Sequence, residues 1–115
     1  AMSAAALVLA AGGTPFQASQ AICFVIKNML GLICDPVAGL VEVPCVKRNA
    51  MGASYAFIAA DMALAGIESK IPVDEVIDAM YQVGVSMPTA FRETAEGGLA
   101  TTPTGRKLSK EIFGD

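Results

Sequence analysis

The chain has 115 residues, a hydrophobic fraction of 54% and a formal net charge of −3. This length allows one domain at most, and the lack of a clustered basic face excludes a nucleic-acid-binding surface. The apolar fraction exceeds the ~45–50% that is usual for soluble domains, so we expect a partner or further sequence to cover part of the apolar surface.

Small apolar residues open the chain and predict a first helix over residues 2–11, ended by Gly12 and Gly13. This run is shorter than the ~20 apolar residues that a membrane-spanning helix needs. It also lacks the positively charged leader of a secretory signal. We therefore expect a cytoplasmic protein with no membrane partner. Because the first residue is Ala1 rather than Met, we also expect sequence upstream.

Thr14 and Pro15 predict the start of a second helix. Thr14 is the expected N-cap, Gln17 completes a capping box, and the helix is predicted to run to about Leu30. After a loop from Gly31 to Cys45, a third helix is predicted over residues 46–65. Its predicted apolar face consists of Val46, Ala50, Ala53, Phe57, Ala60 and Leu64.

The second half of the chain continues the helical pattern. A fourth helix is predicted over residues 71–84, with Val73, Val76, Ile77, Met80 and Val83 on one face. A short fifth helix is predicted from Pro88 to about Thr94, and Thr102 with Pro103 predicts the start of a terminal helical segment. The sequence therefore predicts an all-α fold: a compact helical domain of five to six helices with a Pro- and Gly-containing cysteine loop.

Two of the three cysteines, Cys34 and Cys45, enclose a loop with two prolines and a glycine. Prolines favour a fixed loop shape. The chain has no His, which excludes a Cys–His pair within it, and three cysteines argue against a disulfide framework. Cys34 is predicted directly after a helix end and Cys45 directly before a helix start, where N–H groups stabilise thiolates. On these grounds alone, burial of the thiols and ligation of an iron–sulfur cluster are equally supported.

The segment "CDPVAGLVEVPCVKRNAMGA", residues 34–53, closely resembles the signature of iron–sulfur-dependent L-serine dehydratases (L-serine ammonia-lyases). The resemblance is to the α chain of the two-subunit bacterial form. It extends through "AADMALAGI" and "MPTAFRETAEGGLATTPTGRKL" to essentially the whole chain. It implies that residues 1–115 are the C-terminal part of an α-chain catalytic domain whose upstream part is missing.

The family resemblance implies a [4Fe–4S] enzyme that works without pyridoxal phosphate and converts L-serine to pyruvate and ammonia, in serine catabolism and gluconeogenesis. An open cluster iron would act as a Lewis acid on the substrate hydroxyl. Cys34 and Cys45 match two of the three cluster cysteines, and the third is expected upstream of Ala1. Cys23 lies in mid-helix, where the pattern has no ligand, so we expect it to be buried. The fragment alone is expected to be inactive.

The residues Lys47, Arg48 and Asn49, directly after the second loop cysteine, are the candidates for substrate binding. They lie in the predicted first turn of a helix, where N–H groups and a guanidinium could bind the carboxylate of serine. Asp35 is expected to cap the loop rather than act in catalysis. The segment 97–105 is rich in backbone N–H donors and hydroxyls that could approach an anion or a cluster, but a flexible connection is the default expectation. The general base is not identifiable from the sequence.

The resemblance also implies partners, namely a β chain of the same enzyme and further copies of this chain. Arg92 and Glu93 are adjacent, and a surface or subunit-contact role is at least as consistent with them as catalysis. The alternative function is a non-catalytic helical interaction module with buried thiols. An electron-transfer protein is disfavoured because only two cysteines occupy ligand-like positions.

Overall fold

The computed structural model describes residues 1–114, and within this range the regular structure is helical, without β-strands. The five α-helices described are α1 (Met2–Ala10), α2 (Pro15–Asn28), α3 (Cys45–Leu64), α4 (Val73–Ser86) and α5 (Pro103–Phe113). Short 3-10 turns cover Val37–Gly39, Thr89–Phe91 and Gly98–Thr101. The predicted all-α class is confirmed.

The chain divides into two compact units. The helical unit comprises residues 1–31 and 51–85. The cysteine unit comprises residues 32–50 together with the described residues from 86 onward. Both loop cysteines, Cys34 and Cys45, belong to the cysteine unit, whereas Cys23 belongs to the helical unit.

Local capping signals determine where two of the helices begin. At the start of α2, the backbone N–H of Thr14 donates to Gln17 Oε1 at 2.9 Å, and the N–H of Gln17 donates to Thr14 Oγ1 at 3.1 Å. The predicted capping box is therefore confirmed. Thr102 caps α5 in the same manner, since its Oγ1 accepts from the N–H of Gly105 at 3.1 Å. α2 ends at Asn28, two residues before the predicted end.

Small side chains dominate the core of the helical unit. The buried cluster consists of Ala4, Val8, Ala18, Ala21, Phe24, Val25, Ala56, Ala59, Ala60 and Ala63. Alanines allow helix backbones to approach closely, and α1 packs directly on α2. Gly13 belongs to the same dense packing, because a Cβ there would lie 2.5 Å from Val8 Cγ1 and 2.9 Å from Leu64 Cδ2.

The predicted apolar face of α3 is largely wrong. Its buried residues are Ala56, Ala59, Ala60 and Ala63, of which the prediction contained only Ala60. Val46 and Phe57 are instead about three-fifths exposed, at 62% and 61%. A 3.6-residue period fits two neighbouring stripes on this helix, and close packing selects the stripe of small residues.

The predicted fifth helix over residues 88–94 is also wrong, because the chain forms only the 3-10 turn Thr89–Phe91 there. Glu93 and Ala95 both have positive φ angles, +65° and +58°. This left-handed conformation interrupts an α-helix. The N–H of Glu93 instead donates to the carbonyl of Cys34 at 2.9 Å, so a contact distant in sequence replaces the local helix.

Large apolar side chains remain at the surface of the helical unit, as the composition predicts. Ile58 is 54% exposed, Tyr81 65% and Val85 52%. On α4, Val76 of the predicted face is buried, whereas Ile77 and Met80 are largely exposed. None of the helices in residues 1–114 is both long enough and apolar enough to span a membrane.

Candidate metal centre

The cysteine loop has a fixed backbone with hydrogen bonds of its own. The N–H of Val37 donates to the carbonyl of Val43 at 2.9 Å, and the N–H of Gly39 donates to that of Pro36 at 3.1 Å. Pro36 and Val37 are buried, and the Val43–Pro44 peptide bond is cis. The loop between the two cysteines is therefore folded, and it fixes the backbone on which Cys34 and Cys45 lie.

Cys34 is anchored on both sides by backbone hydrogen bonds. Its N–H donates to the carbonyl of Phe91 at 2.9 Å, and its carbonyl accepts from the N–H of Glu93 at 2.9 Å. The thiol is free and half-buried. Because α2 ends at Asn28, the predicted position of Cys34 directly after a helix end is wrong. A bridge to the segment after α4, rather than a helix terminus, holds this cysteine.

Cys45 is the first residue of α3, and its thiol is also free and half-buried. It follows Pro44, whose carbonyl accepts from the N–H of Arg48 at 3.1 Å and so begins the helical bonding pattern. Backbone N–H groups at this helix end favour negative charge. The sequence placed Cys45 directly before the helix, one residue from where the structure puts it.

A buried carboxylate lies between the two cysteines in sequence and joins their segments. Asp35 is 1% exposed, and its Oδ1 pairs with Arg48 Nη1, whose side chain is 30% exposed. The same Nη1 donates to the carbonyl of Ile33 at 3.3 Å. The other carboxylate oxygen of Asp35, Oδ2, accepts from the N–H of Leu99 at 2.6 Å.

The two acidic groups in this network have shifted pKa values in opposite directions. Burial alone would raise the pKa of Asp35, but the hydrogen bond from Leu99 and the Arg48 guanidinium outweigh it, so this pKa is lowered. Burial raises the pKa of the Cys34 thiol, and the charges of Glu93, Cys45 and Asp35 add to that effect, while Arg48 opposes it. The Cys45 thiol therefore lies near enough to Cys34 to contribute to the raised pKa of that thiol.

The glycine-rich segment around residues 97–101 packs against this carboxylate, so the expectation of a flexible connection is wrong. A Cβ at Gly98 would lie 2.8 Å from Cβ and Cγ of Asp35, and Gly98 has a φ of +60°. At Gly97, a Cβ would come within 3.0 Å of the Ala90 carbonyl and the Phe91 ring. Two glycines before a Thr-Pro helix start are the sequence signal that could have indicated a close backbone approach.

The predicted substrate-binding residues and Cys23 differ in their surroundings. Lys47 and Asn49 lie on the first turn of α3 and are exposed, and only Arg48 of the three reaches into the Asp35 network. Cys23 is fully buried in the helical unit, with its Sγ 3.8 Å from the carbonyl of Ile71, so its predicted burial is confirmed.

The cysteine unit fits part of a cluster site. Its donors are two accessible thiols, and thiolates are the usual ligands of iron–sulfur clusters. Among residues 1–114 no group of three or more Cys, His, Asp or Glu side chains is arranged to hold a metal ion. Further ligands of a cluster bound at Cys34 and Cys45 would therefore come from outside this set of residues.

Comparison with known proteins identifies the family. Residues 1–100 match the family model described as serine dehydratase alpha chain. The chain belongs to this family. Serine dehydratase alpha chains that it resembles include the "Probable L-serine dehydratase, alpha chain" of Bacillus subtilis (strain 168), 74% identical over 113 residues. A protein of the same printed name from Latilactobacillus sakei is 61% identical over 114 residues, and the "L-serine dehydratase, alpha chain" of Peptoniphilus asaccharolyticus is 57% identical over 113.

These alignments cover 98–99% of the residues of this serine dehydratase alpha chain. They include only 38%, 54% and 39% of the three relatives. The chain therefore spans between about two-fifths and just over half of the length of these relatives.

Proposed function

We propose that the protein to which this chain belongs is an L-serine dehydratase that releases pyruvate and ammonia from L-serine. Residues 1–115 would form the C-terminal part of its α-chain catalytic domain, and this part alone would be inactive. Membership of the serine dehydratase alpha chain family and the names of the similar proteins support this proposal.

We further propose that Cys34 and Cys45 hold a [4Fe–4S] cluster, with a third cysteine supplied by sequence upstream of Ala1. The contrast among the three thiols is the main support. Cys23 is fully buried, whereas the two loop thiols are free and only partly buried. A cluster ligand needs an accessible sulfur that the backbone holds in place, and both loop cysteines meet this requirement.

A bound cluster would supply Lewis-acid chemistry at the substrate hydroxyl, without pyridoxal phosphate. The chain itself would bind the carboxylate of serine with the first turn of α3. Arg48 uses only Nη1 in its hydrogen bonds, and its Nε and Nη2 hold none among the described residues, so one edge of the guanidinium is available for a carboxylate. Lys47 and Asn49, exposed on the same turn, would add positive potential and a polar contact.

The partners that we propose are L-serine, a β chain of the same enzyme and a second copy of the α chain, in the cytoplasm. The exposed apolar side chains of the helical unit are consistent with such contacts. These same side chains favour the second candidate function, a non-catalytic helical docking module. That alternative requires buried thiols, and the incomplete burial of Cys34 and Cys45 argues against it.

The proposal is tested on the full-length protein, purified without air together with its β chain where one exists. We expect bound iron and sulfide, broad absorption near ~400 nm typical of such clusters, and pyruvate formation from L-serine. Cys34→Ser and Cys45→Ser should each remove iron and activity together. Cys23→Ala is the matched control and should retain both.

Two results would contradict the proposal. One is a wild-type protein that contains no iron after anaerobic reconstitution with iron and sulfide. The other is normal turnover of L-serine in the double variant that lacks both loop thiols. A colourless full-length protein that binds only another protein would favour the docking module.

A further inference from the structure

Asp35 is the one charged side chain that is buried among the described residues, at 1% exposure. Transfer of a carboxylate from water into a protein interior is costly unless the charge is paired and hydrogen-bonded. Here the Arg48 guanidinium and the N–H of Leu99 provide both forms of compensation. A buried ion pair contributes little to stability compared with apolar packing, which suggests a different reason for burying this group.

The partners of Asp35 come from the segments that carry the two thiols. Asp35 directly follows Cys34, and Arg48 lies three residues after Cys45, in the first turn of α3. Arg48 also donates to the carbonyl of Ile33, directly before Cys34. The ion pair between Asp35, next to Cys34, and Arg48, near Cys45, therefore joins the two ends of the loop.

The network extends to a third segment, at the N-terminus of α5. The N–H of Leu99 donates to Asp35, and the carbonyl of Leu99 accepts from Thr102 Oγ1 at 2.8 Å. Thr102 is the N-cap of α5 and accepts from Gly105 at 3.1 Å. Gly98 has no room for a Cβ beside Asp35, so the glycine is what permits this approach.

We propose that Asp35 is a positioning residue that holds the two cysteine ligands in the arrangement that binds the cluster. The inference rests on the proposed function, because it concerns ligation by Cys34 and Cys45. It adds a second role for Arg48. In this role Nη1 of the guanidinium holds the loop through Asp35 and Ile33, while the opposite edge would bind the substrate carboxylate. Groups that hold metal ligands in place generally set ligand orientation and metal affinity, and the Asp35–Arg48 pair joins the backbone segments that carry both cysteines.

The test uses the full-length enzyme and the variant Asp35→Asn. The amide keeps the size of the side chain and can accept from Leu99, but it loses the charge that pairs with Arg48. At limiting iron we expect about tenfold weaker retention of iron, with a matching faster loss of the cluster absorption in air.

Glu111→Gln is the matched control. Glu111 pairs with Lys107 at 3.8 Å on the surface of α5, with both side chains more than half exposed. Loss of this pair should leave iron retention at the wild-type value. If Asp35→Asn fails to yield soluble protein, Arg48→Lys provides the measurement, because lysine keeps the positive charge but lacks the planar guanidinium that pairs with Asp35.

The inference is overturned if folded Asp35→Asn, or folded Arg48→Lys where the first is insoluble, retains iron and its cluster spectrum as long as wild type. A lowered melting temperature with normal iron per folded chain would show a purely structural role and would also overturn it. Absence of iron from the wild-type enzyme is a different result, since it refutes the proposed function itself.

Discussion

Replacement of Gly98 by alanine measures how far the cysteine unit depends on the close approach to Asp35. A Cβ at Gly98 would lie 2.8 Å from two carbons of Asp35, at a φ of +60°. Gly39 is the matched control in the same unit, because its φ is +71° but a Cβ there would meet nothing within 4 Å. The control therefore isolates the cost of a left-handed alanine, which is about 1 kcal/mol.

Gly98→Ala adds the cost of displacing the carboxylate. A shifted Asp35 loses or weakens its bonds from Leu99 and Arg48. Hydrogen bonds to charged groups contribute about 1.5–3 kcal/mol each. Loss of one of them, added to the backbone cost of about 1 kcal/mol, predicts a fall of about 2.5–4 kcal/mol in the free energy of unfolding of Gly98→Ala. For Gly39→Ala we expect about 1 kcal/mol.

The assay is urea unfolding of both full-length variants, followed by far-UV circular dichroism, with the free-energy difference taken from the midpoint at constant m. The decisive quantity is the difference between the two variants rather than either value alone. Equal destabilisation by Gly98→Ala and Gly39→Ala would refute the reasoning, because it would mean that the contact with Asp35 adds nothing to the backbone cost.

Three further predictions concern thiol access and glycine positions. After chelation removes metal, Cys34 and Cys45 should react with maleimide in the folded protein, whereas the fully buried Cys23 should react only on unfolding; equal labelling of all three by mass spectrometry would contradict this. Gly52→Ala, in α3 with open space around it, should raise the unfolding free energy by about 0.5–1 kcal/mol. Gly13→Ala should lower it by about 1–3 kcal/mol because the Cβ would overlap Val8; a stabilised Gly13 variant in the same urea assay would count against the described packing.

The candidate site was partly predictable from the sequence. The resemblance singled out Cys34 and Cys45, and the structure places both as accessible thiols in the cysteine unit. Arg48 was singled out as a substrate contact, but its partnership with Asp35 was not anticipated. The role of Leu99 was not visible either, since it lies 64 residues after the carboxylate that its N–H contacts. Capping motifs and hydrophobic periodicity involve residues close in sequence, so they cannot indicate a contact at that separation.

The sequence by itself determined the helical class and the starts of α2 and α5, because capping by Thr14 and Thr102 acts within three residues. Tertiary structure decided which stripe of α3 is buried, since a 3.6-residue period allows neighbouring faces and only close packing selects the alanines. It also replaced the helix predicted from Pro88 with a short turn and left-handed residues, of which Glu93 donates its backbone N–H to the carbonyl of Cys34. The cost of that conformation is offset by contacts between segments distant in the chain, which exist only once both segments have folded together.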